Sequence, residues 1–151
     1  MAPMLDQGRP ARILLAEDNM DDVELLRMSF ARSRLLVDLH HVQDGQECMD
    51  FLLRVPPYGN APKPDLLLLD LKMPRLDGRE VLSQIAGHPE LRSLPVVMLT
   101  TSSEAEDIRR AYDLRCSSYI TKPVDFNHFT EVVRKLTDYW FTVVVLPTHS
   151  H

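Results

Sequence analysis

Leu66-Leu67-Leu68-Leu69-Asp70-Leu71-Lys72-Met73-Pro74 is the stretch whose reading decides the fold. Four consecutive leucines run into one aspartate, Pro74 follows, and the turn signal Asp77-Gly78 comes after it. Pro62 and Pro64 stand before the run, so breakers bound it on both sides. A short apolar run of this kind suits a central parallel strand covered on both faces, although periodicity alone leaves a buried helical segment open. Ligands of open parallel sheets bind beyond the carboxyl ends of the strands, which puts Asp70 where chemistry is placed.

Three other apolar runs end in polar residues in the same way. Arg12-Ile13-Leu14-Leu15-Ala16 runs into Glu17-Asp18-Asn19. Pro95-Val96-Val97-Met98-Leu99 runs into Thr100-Thr101-Ser102-Ser103, and Ser117 to Ile120 into Thr121-Lys122-Pro123. Val37 to Val42 is a fifth strand candidate, of mixed polarity and so nearer an edge. Helical spacing fills the gaps: Asp21 to Leu36 with Val23, Leu25, Leu26, Met28, Phe30 and Leu35 on its apolar positions, then Gln46 to Arg54 with Met49, Leu52 and Leu53 inward. Arg79 to Ala86, Glu104 to Leu114 with Ser103 as its N-cap, and Asp125 to Trp140 complete the set. Strand and helix alternate five times, which implies right-handed crossovers and a five-stranded parallel sheet with helices on both faces. Residues 1–10 read as an N-terminal lead, 11–140 as one domain and 141–151 as an apolar tail. The proline-bearing segment Val55 to Pro64 reads as a surface loop, either a tolerated insertion or a partner contact.

Composition narrows the classes. The chain has 151 residues, 44% hydrophobic and 26% charged, with a net charge of -5. That size suits one domain, and the charge argues against nucleic-acid binding through a broad basic face. Cys48 and Cys116 form no CxxC pair and read as reduced thiols. No secretory leader and no membrane-spanning segment are visible, so the expected location is the cytoplasm. His40 and His41 are adjacent on a strand and point to opposite faces, which is poor geometry for chelation.

Glu17, Asp18 and Asp70 bring three carboxylates to one mouth. Unpaired, they repel one another and one must stay protonated; a hard divalent cation such as Mg2+ removes the conflict. Lys122 adds a point charge suited to a phosphate oxygen, and Thr100 adds a hydroxyl donor. Together these groups describe a phosphoryl-transfer site with Asp70 as nucleophile. Taken alone, Asp70 is equally readable as a strand-ending acid that caps the next turn.

In this order and at these spacings the residues resemble the receiver domains of two-component response regulators, over roughly residues 11 to 140. The resemblance implies the flavodoxin-like (βα)5 fold. It implies that Asp18, Asp70 and the backbone carbonyl of Lys72 bind Mg2+ directly, with Glu17 acting through a water. A sensor histidine kinase would then transfer its phosphoryl group to Asp70, with Lys122 and the metal neutralising the transferring oxygens. Thr100 would hydrogen-bond the phosphoryl group, Tyr119 would turn inward behind it, and the face of the fourth helix, fifth strand and fifth helix would change shape. Pro123 is implied to follow a cis bond, although a helix-start proline reads the same way. Glu17-Asp18-Asn19 followed by Asp21-Asp22, the proline-bearing loop, and Asp77-Gly78-Arg79-Glu80-Val81-Leu82 are similar to the single-domain regulators that partner bacterial phytochromes. Lys72 and Ser102 occupy positions that tune spontaneous loss of the phosphoryl group.

The tail carries Trp140, Phe141, Val143 and Val145, is β-prone, and invites aggregation if left free. It either packs on its own domain or, the reading favoured here, forms a homodimer with the last helix. Nothing after residue 140 is long enough for an output domain, so output is expected through a downstream protein or a phosphotransfer domain. Two competing functions are a Mg2+-dependent phosphatase and a degenerate receiver that only binds partners. Lys72 stands where an aspartyl phosphatase needs a second acid, which disfavours the first. The intact acids, Thr100 and Lys122 disfavour the second.

Overall fold

Alternation within the leucine run builds the two layers of the molecule. In the computed structural model, which describes residues 10–32, 36–122 and 125–138, Leu66–Leu69 is strand β3, and its side chains leave the sheet alternately on opposite faces. Leu67 and Leu69 join Leu14, Met49, Phe51, Val81, Leu82, Ile85 and Met98 on one side. Leu66 and Leu68 join Ile13, Leu15, Leu26, Phe30, Leu99, Phe129 and Val133 on the other. All four leucines are fully buried, each contributing about 1.5–3 kcal/mol by its removal from water.

The other elements follow in the expected order: β1 (Ala11–Ala16), α1 (Met20–Ala31), β2 (Val37–Val42), α2 (Gly45–Leu53), then after β3 come α3 (Gly78–Ala86), β4 (Val96–Thr100), α4 (Ala105–Asp113), β5 (Ser118–Thr121) and α5 (Phe126–Asp138). A short 3-10 turn, Pro89–Leu91, separates α3 from β4. The strands are all parallel in the order β2-β1-β3-β4-β5. β2 is an edge strand with only Val42 buried, as its mixed polarity implies. Helices α1 and α5 pack against each other on one face, and α2, α3 and α4 cover the other.

Several local expectations need correction. Helix α1 stops at Ala31, with Arg32 closing it, rather than reaching Leu36. Its buried face is Val23, Leu26, Ser29 and Phe30, while Met28 is exposed; the Ser29 hydroxyl is satisfied by the Leu25 carbonyl at 2.8 Å, so a serine takes a core position. In α2, Cys48 and Phe51 join Met49 inside while Leu53 is exposed, because the helix starts at Gly45 with Asp44 as its cap and ends in a left-handed residue at Arg54. Helix α4 is not capped by Ser103. It begins at Ala105, and Ser102 serves the turn instead, accepting from the Glu104 amide and donating to Asp107 Oδ2 at 2.6 Å.

The segment from Val55 to Pro64 holds no helix or strand but is tied down. Tyr58 packs on Phe51 with ring centroids 5.4 Å apart, and Arg54 Nε donates to the Ala61 carbonyl at 2.9 Å. The Pro56–Pro57 bond is cis. Residues 1–9, Pro123 and the tail residues Trp140, Phe141, Val143 and Val145 lie outside the described residues. Among the described residues, no helix is long and apolar enough to cross a membrane.

Candidate functional site

Sheet register assembles the acids. β1 and β3 are hydrogen-bonded neighbours with Ala16 opposite Leu69, so the next residues, Glu17 and Asp70, leave the sheet side by side. Their backbones continue the ladder: the Glu17 amide donates to the Val42 carbonyl and the Asp70 amide to the Ala16 carbonyl, both at 3.1 Å. Asp18 follows Glu17 into the loop and is exposed. Carboxylate oxygens of Glu17, Asp18 and Asp70 all lie within 4.8 Å of one another.

The opposite wall comes from β4 and β5. Thr100 is opposite Thr121, and the Lys122 amide donates to the Thr100 carbonyl at 2.7 Å. This places the Lys122 side chain in the mouth, where it is almost wholly enclosed. Its ammonium donates to Glu17 Oε1 and, at 2.7 Å, to Asp22 Oδ2, and it lies 3.7 Å from Asp70 Oδ2. Asp70 Oδ1 accepts from the Leu71 amide at 2.7 Å.

Gly78 makes close approach possible at the first turn of α3. A Cβ there would lie 2.3 Å from the Asp70 carbonyl oxygen. With only hydrogen, the Gly78 amide donates to the Leu71 carbonyl at 2.8 Å and the α3 start closes over the end of β3.

Burial pushes the Glu17 carboxyl up to about 8, and the nearby Asp70 charge adds to the rise despite the Lys122 hydrogen bond. For Lys122, burial works against the ammonium, but the carboxylates of Asp22, Glu17 and Asp70 outweigh it, and its pKa lies above the ordinary lysine value. Glu17, Asp70, Thr100 and Lys122 are all buried and together leave no unpartnered buried side-chain atom. Hard oxygen donors, two of them buried carboxylates sharing one ammonium, form the donor set that suits a divalent cation retaining open positions.

Tyr119 does not point its hydroxyl at the acids. It donates to the Ser102 carbonyl at 2.9 Å, and the ring packs against the α3–α4 side of the core. Thr100 Oγ1 accepts from the Ser102 amide at 3.4 Å, so Ser102 links the two residues. The Lys72 side chain is exposed on the loop after Asp70. Sequence reasoning brought Glu17, Asp18, Asp70, Thr100 and Lys122 together as found, but it missed Asp22 as a partner of Lys122. Its signal was present: an acid in the first turn of the helix that follows Glu17-Asp18 is close to the same mouth. His41, likewise unassigned, places Nε2 2.8 Å from the Glu17 carbonyl oxygen.

The sequence profile of the response regulator receiver domain matches residues 13–134. The chain belongs to this family. Response regulator Rcp1 of Synechocystis sp. is 37% identical over 145 residues, covering 95% of this chain and 99% of Rcp1. The structure of the phosphorylated cyanobacterial phytochrome response regulator RcpA aligns with a TM-score of 0.89 at 39% identity, covering 92% of this chain and 99% of RcpA. The Mn(2+)-bound form of Rcp1 aligns with a TM-score of 0.87 at 38% identity, covering 91% of this chain and 99% of that one. This receiver is therefore a signalling protein with the flavodoxin-like fold, similar over its whole described length to phytochrome response regulators. Its acid mouth stands at the strand ends where such a fold places its site.

Proposed function

We propose that this receiver is a single-domain response regulator of a two-component phosphorelay that takes a phosphoryl group from a sensor histidine kinase onto Asp70. The observation that carries the assignment is the mouth itself: Asp70 Oδ2 lies 3.7 Å from the enclosed Lys122 ammonium, within a group of three carboxylates. In the reaction, an Asp70 carboxylate oxygen attacks phosphorus, the N–P bond of the kinase phosphohistidine breaks, and the imidazole leaves with the electron pair and takes up a proton. Mg2+, held by Asp18, Asp70 and the Lys72 carbonyl with Glu17 acting through a water, would neutralise charge on the transferring oxygens. Lys122 supplies the second positive charge from the protein itself.

The signalling step follows from what Thr100 does next. A phosphoryl oxygen on Asp70 offers its hydroxyl a charged acceptor, a stronger partner than any neutral one. Moving Thr100 pulls on Ser102, whose carbonyl holds Tyr119. Release of that hydroxyl frees the ring to turn inward, and the α4–β5–α5 surface changes with it. Output then passes to a downstream protein or a phosphotransfer domain. The kinase in this reading is a bacterial phytochrome, supported by the similarity to RcpA and Rcp1. The cytoplasm is the compartment, and the tail from Trp140, with Phe141, Val143 and Val145, joins two copies as a homodimer. Self-phosphorylation from small donors and spontaneous dephosphorylation are the chemistry the chain performs alone.

Intact mass after incubation with Mg2+ and acetyl phosphate tests this. One added phosphoryl group that requires both Mg2+ and Asp70, and is absent in Asp70→Asn, is the expected result. No gain in a protein that binds Mg2+ overturns it. Light scattering tests the dimer: a protein that stays monomeric at tens of micromolar in either phosphorylation state removes it.

A further inference from the structure

Lys122 has three carboxylate neighbours, and they are not equivalent. Glu17 and Asp70 belong to the group of oxygens placed to hold a cation; Asp22 does not. A cation and the Lys122 ammonium therefore compete for Glu17 and Asp70. If the cation takes both, an ammonium whose side chain is only 4% exposed loses two of its three carboxyl partners, and a buried charge without a partner is strongly disfavoured. Asp22, at 2.7 Å, is the partner that remains.

Its position does not depend on the acid cluster. Asp22 sits in the first turn of α1, where its amide donates to the Asn19 cap at 3.2 Å and the helix N-terminus favours a carboxylate. We infer that Asp22 is a positioning residue: it holds Lys122 when a divalent cation occupies Glu17, Asp18 and Asp70, and so sets how tightly the mouth binds that cation. The inference rests on the reading of the acid cluster as a metal site. Asp22 itself touches neither the metal nor the transferring phosphoryl group.

The test is Mg2+ titration of the full chain by calorimetry, on the wild type, Asp22→Asn, and Asp21→Asn as a control. Asp21 is exposed on the same turn and carries the same charge. Asp22→Asn is expected to weaken Mg2+ binding about tenfold relative to Asp21→Asn, because Lys122 must then leave Glu17 and Asp70 with no substitute partner. Repeating Asp22→Asn in a Lys122→Met background closes a double-mutant cycle. There the tenfold loss should vanish, since no ammonium is left to hold. A loss that persists in that background overturns the inference, because Asp22 would then act directly by its charge. So does an Asp22→Asn protein that binds Mg2+ as the wild type does. A wild type that binds no Mg2+ overturns the metal reading of the cluster, and the inference falls with it.

Discussion

The Tyr119 hydroxyl is held by the Ser102 backbone carbonyl at 2.9 Å. The same loop is anchored a second time by Ser102 Oγ on Asp107 Oδ2 at 2.6 Å, and Asp107 in turn lies 3.8 Å from Arg79 of α3. The resting position of the tyrosine thus depends on a loop that starts at Thr100, which couples the ring to the acid mouth through the backbone. Tyr119→Phe should lower the stability of the unphosphorylated chain by about 0.5–1.5 kcal/mol, the net worth of one such hydrogen bond. Urea denaturation measures it, and an unchanged midpoint would show that water replaces the bond without cost.

Gly78→Ala forces a methyl to 2.3 Å from the Asp70 carbonyl oxygen. The neighbour is backbone and cannot rotate away, so the start of α3 must lift from the end of β3. A loss of about 2–3 kcal/mol is expected, with reduced phosphoryl uptake on Asp70. Gly59→Ala is the counterpart: nothing lies within 4 Å of its added methyl, and stability should hold or rise by about 0.4–1 kcal/mol through the unfolded chain. Paired thermal melts of the two variants check both.

Without divalent metal, stability should fall as pH rises from about 5 to 8. Glu17 holds its proton in the folded chain to about 8, against 4.5 for the free group. Between those values the folded state binds more protons than the unfolded state, so unfolding releases protons and is favoured by raising pH. Urea midpoints in a chelator across this range should decline for the wild type and flatten in Glu17→Gln. An equal decline in both would place the titration elsewhere. Added Mg2+ should stabilise more at the upper end of the range, because its ligands must be ionised.

Leu68→Ala removes a fully buried side chain from the middle of the sheet. The cost should be about 2–5 kcal/mol, the range for such truncations. Denaturant unfolding reads it directly, and a loss below 1 kcal/mol would mean that the face covered by α1 and α5 collapses to fill the space.

Much of the fold and site was legible because it is written in strand ends. Apolar runs that stop at Glu17, Asp70, Thr100 and Lys122 fix both the strands and the polar residues they carry to one edge. What was not legible depends on packing across elements. Ser29 sits in the core because Leu25 offers it a carbonyl, a fact no period reveals. Met28, apolar by type, is exposed because α1 turns that position away from the sheet. Ser103 is as good a capping residue by type as Ser102, and only the path of the loop decides between them. Nothing local in the sequence ties Asp22 to Lys122, since the two lie 100 residues apart.

Pairing Ala16 with Leu69 makes β3 a ruler as well as a wall. Each residue of a strand advances about 3.3 Å and reverses the side on which the next side chain emerges. Removing one leucine from Leu66–Leu69 would therefore draw Asp70 back from Glu17 by that distance, turn it toward the opposite layer of helices, and exchange the two hydrophobic faces at once. Surface loops are in general free to vary in length. The four-residue count of β3 is not, because the same measure that fills the core also delivers the carboxylate to its partners.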